Sequence, residues 1–164
     1  MKELQQQTKN IIQSLRHLSQ DLRPATLDRL GLLPALGYLA SETTRLSGIE
    51  TKVSIQGKER RLGEEVELML FRITQEALNN IWKHSEARRA EIILEFHGSD
   101  IRVNIVDDGK GFILADTMNN LSKDGKLGLA GMKERARLIN GHLQIRSGPG
   151  KGTTVIVDVP VNEP

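Results

Sequence analysis

No cysteine occurs anywhere in the 164 residues. Disulfides and thiolate-held metals are therefore excluded, which agrees with a reducing, cytoplasmic setting for this part of the protein. Aromatic residues are almost as scarce, at 3%: one Trp, one Tyr and three Phe. Nucleic-acid binding would want a basic stripe interleaved with aromatics. Here 23 Lys and Arg face 21 Asp and Glu, for a net charge of +2, and the basic doublets Arg60-Arg61 and Arg88-Arg89 read as solvated faces. No stretch approaches the roughly 18 apolar residues of a membrane helix, and the N-terminal MKELQQQTKN lacks the apolar core of a signal peptide. The four histidines (17, 84, 97 and 142) show no His-x₃-His spacing, so no zinc site is expected. What is present, 38% hydrophobic and 27% charged residues, is the composition of a globular protein large enough for one domain and an appendage.

The chain opens with apolar residues at Leu4, Ile11, Leu15, Leu18 and Leu22, Thr8 filling the missing position. Steps alternating four and three form the seam of a coiled coil or four-helix bundle, so a partner helix is implied. Pro24 ends this helix, since the residue before a proline is pushed out of the α region. A second helix is predicted over Leu32–Leu46, stopped at Gly48, and a strand over Thr51–Gln56. Val66, Leu70, Ile73, Ala77, Leu78 and Ile81 form the apolar face of a long helix from Glu64 to Lys83. Ala90–Phe96 and Ile101–Val106 alternate and are joined at His97-Gly-Ser-Asp100 as a β-hairpin. Residues 113–127 are polar and mostly unpatterned. A helix over Gly131–Ile139 and a last hairpin, Leu143–Arg146 with Thr154–Val159, complete the chain. Antiparallel hairpins with helices between them argue for an α+β fold, a mixed sheet covered by helices on one face.

Four short segments carry chemistry. In Glu76-Ala-Leu-Asn-Asn80-Ile-Trp-Lys83-His84, residues 76, 80 and 83 share one helix stripe, an acid, an amide and an amine. That suits a metal-bound triphosphate; taken alone it also suits a solvated polar face. In Asp107-Asp-Gly109-Lys-Gly111-Phe112 an acid ends a strand and two glycines follow. The glycines let backbone approach a flat ring, and a buried carboxylate can accept a hydrogen bond from an exocyclic amine. Asp-Gly after a strand is also an ordinary turn. In Gly128-Leu-Ala-Gly131-Met132 the two glycines are expected to flank a helix start, where free N–H groups and the helix dipole suit an anion. The fourth segment is Gly152-Thr153-Thr154. Two further motifs fail. Gly148-Pro-Gly150-Lys151-Gly152-Thr153 has no Ser or Thr directly after the lysine, and Ile145 stands where a P-loop needs glycine. Gly109-x-Gly111-x-x-Leu114 lacks the third glycine of a dinucleotide fingerprint.

In this order and spacing the four segments resemble the N, G1 and G2 boxes and the final Gly-Thr turn of the GHKL ATPase superfamily. Within it they look most like NarL-partner sensor histidine kinases, the match running from about residue 10 to 160. The resemblance implies a Bergerat-type α/β sandwich holding ATP between helices and sheet. It makes Asn80 the Mg²⁺ ligand, with Glu76 orienting a metal-bound water and Lys83 neutralising phosphate charge, and His84 reaching a phosphate. It assigns Asp107 to the adenine amino group, directly or through a water. Gly109, Gly111, Phe112, Gly128, Leu129, Gly131 and Met132 complete the ATP site, with Thr153 on the adenine side, Thr154 as the alternate, and 113–127 as the ATP lid.

Leu15-Arg16, Leu22-Arg23-Pro24, Leu27, Leu30-Gly31-Leu32 and Ala35-Leu36 resemble the second helix of the dimerisation and phosphotransfer domain and its exit. This divides the chain into residues 1–30, the end of that domain with its linker, and 31–164, the catalytic domain. In that family the phosphoacceptor histidine lies on the first helix, before an acidic residue. His17 is followed by Leu18 and sits on the second, so it reads as a polar bundle residue. The implied protein is an ATP-dependent histidine kinase fragment lacking its acceptor histidine. Its partners would be a helical hairpin of the same homodimer and a response regulator with a helix-turn-helix output. No direct nucleic-acid contact is expected, and any membrane anchor would lie upstream. An anti-sigma-factor serine kinase and a non-catalytic nucleotide-sensing dimerisation module are the alternatives of the same fold.

Overall fold

The computed structural model describes residues 24–114 and 123–161, residues 123–126 as backbone path only. The 4–22 seam with His17, and lid residues 115–122, lie outside the described residues. The helices are α1 (Ala25–Leu30), α2 (Leu32–Ser47), α3 (Glu64–Asn80) and α4 (Lys123–Leu138). The strands are β1 (Glu50–Gln56), β2 (Arg89–Phe96), β3 (Asp100–Asp107), β4 (His142–Ser147) and β5 (Thr153–Pro160). They form one five-stranded sheet in the order β1-β2-β3-β5-β4. β1 runs parallel to β2 and every other pairing is antiparallel. This is the expected mixed sheet, α+β, with helices on one face.

Period-two alternation decides which face is covered. Ala90, Ile92 and Leu94 of β2, Ile101, Val103 and Ile105 of β3, and Val155, Val157 and Val159 of β5 are buried, while Glu91, Asp100 and Arg102 are exposed. Onto this face α3 lays Leu70, Ile73, Ala77 and Leu78, α2 lays Leu32, Ala35, Leu36 and Ala40, and α4 lays Met132 and Ala136. Among the described residues no helix is long and apolar enough to cross a membrane.

Two local devices fix the helix positions. α2 ends as expected, at Gly48, whose left-handed backbone (φ 77°) lets its N–H reach the Thr44 carbonyl at 2.9 Å. At the start of α3 the Glu67 carboxylate, 1% exposed, accepts from the Leu62 N–H at 3.1 Å and from Arg61 Nε and Nη2 at 3.0 and 3.2 Å. The Arg61 side chain lies against Gly31, the joint between α1 and α2.

Two expectations are corrected, and one element had no signal in the sequence. α1 carries no periodic signal because six residues are less than two turns. The long helix does not continue as α-helix to Lys83; it ends at Asn80 and passes into one π-helical turn, Ile81–Ser85. The Ser85 hydroxyl closes that turn, donating to the Ile81 carbonyl at 2.6 Å and accepting from the Ala87 N–H at 3.0 Å. α4 begins at Lys123, eight residues before the expected Gly131. The apolar pattern, which starts only around Leu127–Met132, marks where α4 meets the core rather than where it begins.

Candidate functional site

The π-helical turn, the end of α3, the loop after β3, the β4–β5 end of the sheet and α4 enclose a cavity of about 390 Å³. Its walls are largely apolar, from Ala77, Ile81, Ile105, Met132, Ile145 and Val155. Polar groups gather at two places: Asn80, Lys83 and His84 from α3 and the π turn, and Asp107 with Thr153 from β3 and β5.

The first group spans the junction between α3 and the π turn. Asn80, Lys83 and His84 all line the cavity, and Ser85 lines it below them. Lys83 and His84 are exposed, and Asn80 is half-buried. Glu76 does not line the cavity. Its carboxylate packs against Gly128 of α4, where any side chain would collide with it.

The second group rests on sheet register. Asp107 pairs with Thr153 across β3 and β5, and Thr153 with Ser147 across β5 and β4. Asp107 is 5% exposed. Burial pushes its carboxyl above the usual carboxylate range, against the opposing pull of the Gly109 N–H, at 2.7 Å, and the Thr153 backbone. Its neighbour Asp108 has the opposite environment and another task. Its Oδ1 accepts from the Arg89 and Arg88 N–H groups at 2.9 and 2.8 Å, which hold it below the usual range and staple the start of β2 to the end of β3.

Glycine is required in the loop for steric reasons. A side chain at Gly109 would meet the Ser85 carbonyl, and Gly111, at φ +61°, lies against the carbonyls of Gly148 and Gly152. Lys110 N–H donates to Ser85 O at 2.8 Å, and Gly150 N–H to Lys110 O at 2.6 Å. The failed P-loop motif at 148–152 is thus the β4–β5 turn, clasped against the loop after β3. Phe112 and Gly111 line the cavity; Gly109 stands behind them.

The structure corrects the expectation for Gly128 and Gly131. Both lie inside α4 rather than at its start, so the helix-terminus argument does not apply to them. Leu129 and Met132 reach the cavity instead. Thr154 pairs with Val106 and Arg146 on the opposite face of the sheet, and Thr153 lines the cavity. Residue reasoning did not single out Ser85, Asp108, Lys110 or Ser147, since single polar residues at element ends carry no pattern.

The fold and this cleft define the class. Residues 65–163 match the family of histidine kinase-, DNA gyrase B- and HSP90-like ATPases. The chain belongs to that family, as an ATP-binding catalytic domain of the sensor histidine kinase type. Over 161 residues it is 37% identical to the signal transduction histidine-protein kinase/phosphatase DegS of Brevibacillus brevis, covering 98% of this chain and 40% of that protein. It is 38% identical to the sensor histidine kinase LiaS of Bacillus subtilis (strain 168), over 90% of this chain and 39% of that protein. The histidine kinase domain of the Erythrobacter litoralis EL346 blue-light activated histidine kinase has the same fold, with a TM-score of 0.59 and 26% identity over 77% of this chain and 59% of that one. The chain therefore spans about two-fifths of the length of the curated relatives it matches.

Proposed function

We propose that the cavity binds Mg²⁺-ATP with its base at Asp107 and its phosphates beside Asn80, Lys83 and His84. The protein of which this chain forms part would then transfer the γ-phosphate to a histidine. The observation that carries this reading is the polarity of the cleft, a buried acceptor at one end and an exposed lysine and histidine beside a half-buried amide at the other, with apolar walls between. The donor set fits magnesium. Among the described residues no three acids or histidines gather into a metal cage, whereas magnesium is commonly held by one or two protein oxygens with phosphate oxygens and water. Asn80 Oδ1 would be that protein ligand, and Glu76, one turn earlier on α3 and outside the cavity lining, would act on the ion only through a metal-bound water. When bound, the ion supplies neutralisation of triphosphate charge.

The residues of the chain then act by positioning. Lys83 offsets phosphate charge and His84 reaches a phosphate. Asp107 accepts from the exocyclic amine, and the glycine-lined loop lets backbone lie flat against the base. In the transfer, an imidazole nitrogen forms a bond to the γ-phosphorus, the bond from that phosphorus to the β–γ bridging oxygen breaks, and ADP leaves with the electron pair. The imidazole proton passes to a base outside the described residues.

The acceptor histidine would come from a helical hairpin of a homodimer, with residues 1–30 assigned to the end of that domain and its linker and 31–164 to the catalytic domain. A response regulator with a helix-turn-helix output would take the phosphate onward. The serine-kinase and dimerisation-module readings have no observation in their favour beside relatives named as histidine kinases.

Calorimetric titration with ATP, with Mg²⁺ and then with EDTA, tests the site. Magnesium-dependent binding is expected, and Asn80→Ala should abolish it. Unchanged affinity in that variant would remove Asn80 from the metal role, and no binding at millimolar ATP would overturn the site assignment. Transfer to a supplied histidine hairpin, read as acid-labile phosphate, tests the chemistry.

A further inference from the structure

Behind the adenine end of the cleft stands a side chain that the functional reading does not use. Ser147 pairs with Thr153 across β4 and β5, as Thr153 pairs with Asp107 across β5 and β3. The three residues form a row across the sheet, with Asp107 and Thr153 lining the cavity and half-buried Ser147 behind them. Three groups lie 3.0 Å from the Ser147 hydroxyl: the Phe112 N–H, the Gly152 carbonyl and the Thr153 hydroxyl.

A serine hydroxyl has one proton and two lone pairs, and the partners dictate how they are used. The Phe112 N–H can only donate, so Ser147 accepts there. The Gly152 carbonyl can only accept, so the Ser147 proton goes to it. One lone pair remains, and the Thr153 hydroxyl must donate into it. The direction of the Ser147–Thr153 bond, which distance alone leaves open, is thereby decided. With its proton turned away, Thr153 offers the cavity lone pairs only, and the Asp107 carboxylate likewise only accepts.

The geometry points to Ser147 as a positioning residue for base selection: it locks Thr153 as an acceptor, so that the end of the cleft beside Asp107 takes a donor-bearing purine edge and repels a 6-oxo group. This inference rests on the reading that the base lies at Asp107. Without Ser147 the Thr153 hydroxyl is free to turn its proton into the cavity and donate to a 6-oxo oxygen.

The test is a set of calorimetric titrations of the 164-residue chain with the magnesium complexes of ATP and inosine triphosphate, which carries oxygen in place of the 6-amino group. Wild type should prefer ATP. Ser147→Ala should reduce the ATP-to-ITP affinity ratio about tenfold, the scale of one mismatched buried hydrogen bond, and Ser147→Thr, which keeps the hydroxyl, should restore it. In a Thr153→Val background Ser147→Ala should leave the ratio unchanged, because the hydroxyl it controls is gone. A Ser147→Ala chain that loses affinity for both nucleotides by one factor, ratio intact, would reduce Ser147 to a structural staple and overturn the inference alone. So would an equal shift of the ratio with and without the Thr153 hydroxyl. Wild type binding both nucleotides equally, or neither, would overturn the adenine assignment and the inference with it. Should Ser147→Ala not fold, Ser147→Cys, close in volume and a poor acceptor, carries the same expectation.

Discussion

Gly111 and Gly37 are the same residue type under opposite constraints. A Cβ at Gly111 would sit on a φ of +61° and drive into the Gly148 carbonyl, whereas Gly37, inside α2, has nothing within 4 Å of the position a Cβ would take. Gly111→Ala should therefore cost about 2 kcal/mol or more, from left-handed backbone and collision together. Gly37→Ala should stabilise the chain by about 0.5–1 kcal/mol, because alanine is the better helix former. Urea denaturation of both variants reads the two signs. Asp107 sets a different opposition, between stability and binding. Burial raises its folded pKa, so the folded chain keeps this proton at pH values where the unfolded chain has released it. Stability from this residue is present at low pH and lost as pH rises through the folded pKa. Asp107→Asn, which cannot ionise and retains an oxygen for the Gly109 N–H, should be at least as stable as wild type near neutral pH. Its advantage should shrink as pH falls below the ordinary carboxylate range, while its ATP affinity drops. Melting curves at several pH values, with calorimetry, check both halves.

At the scale of elements, α3 supplies both the clamp at its start and the polar group at its end. Glu67 ties its first turn to Leu62 and Arg61, and Arg61 leans on the α1–α2 joint at Gly31. Glu67→Ala would leave a buried N–H unpaired and break the ion pair, at a cost of about 3 kcal/mol, and Glu67→Gln, which still accepts, should cost less. Chemical denaturation measures the difference. At the other end, periodicity located the apolar face of α3 correctly but not the π turn, because one extra residue in a turn is set by the Ser85 hydroxyl and by packing against Lys110 rather than by any repeat in the chain. α4 shows the converse error. Its polar first turns carry no stripe, so the pattern marks its apolar contact point and not its start.

Across the whole molecule, the cavity draws its walls from α3, β3, β5, β4 and α4, elements far apart in the chain. A ligand that bridges them stabilises the fold as a unit. At about 100 times Kd, one site adds about 2.7 kcal/mol, which for a chain of this size corresponds to a rise in Tm of roughly 5–10 °C. EDTA should remove that rise if magnesium is the bridge, and a differential scanning measurement with and without chelator decides it.

What the sequence determined by itself was what alternation, spacing and residue type can encode: the strands and their covered face, the stop of α2 at Gly48, and the four segments whose order marks the ATPase family. Their residues Asn80, Lys83, His84, Asp107, Gly111, Phe112, Leu129, Met132 and Thr153 do meet at one cavity. That Thr153 and not Thr154 lines the cavity follows from the assembled sheet, because a one-residue step in a strand turns a side chain to the other face and register is set by the neighbouring strands. The tertiary structure likewise placed Gly128 on the Glu76 carboxylate and set Ser147 behind Thr153. Those contacts join residues distant along the chain, and they exist only once the sheet and its helices have closed on one another.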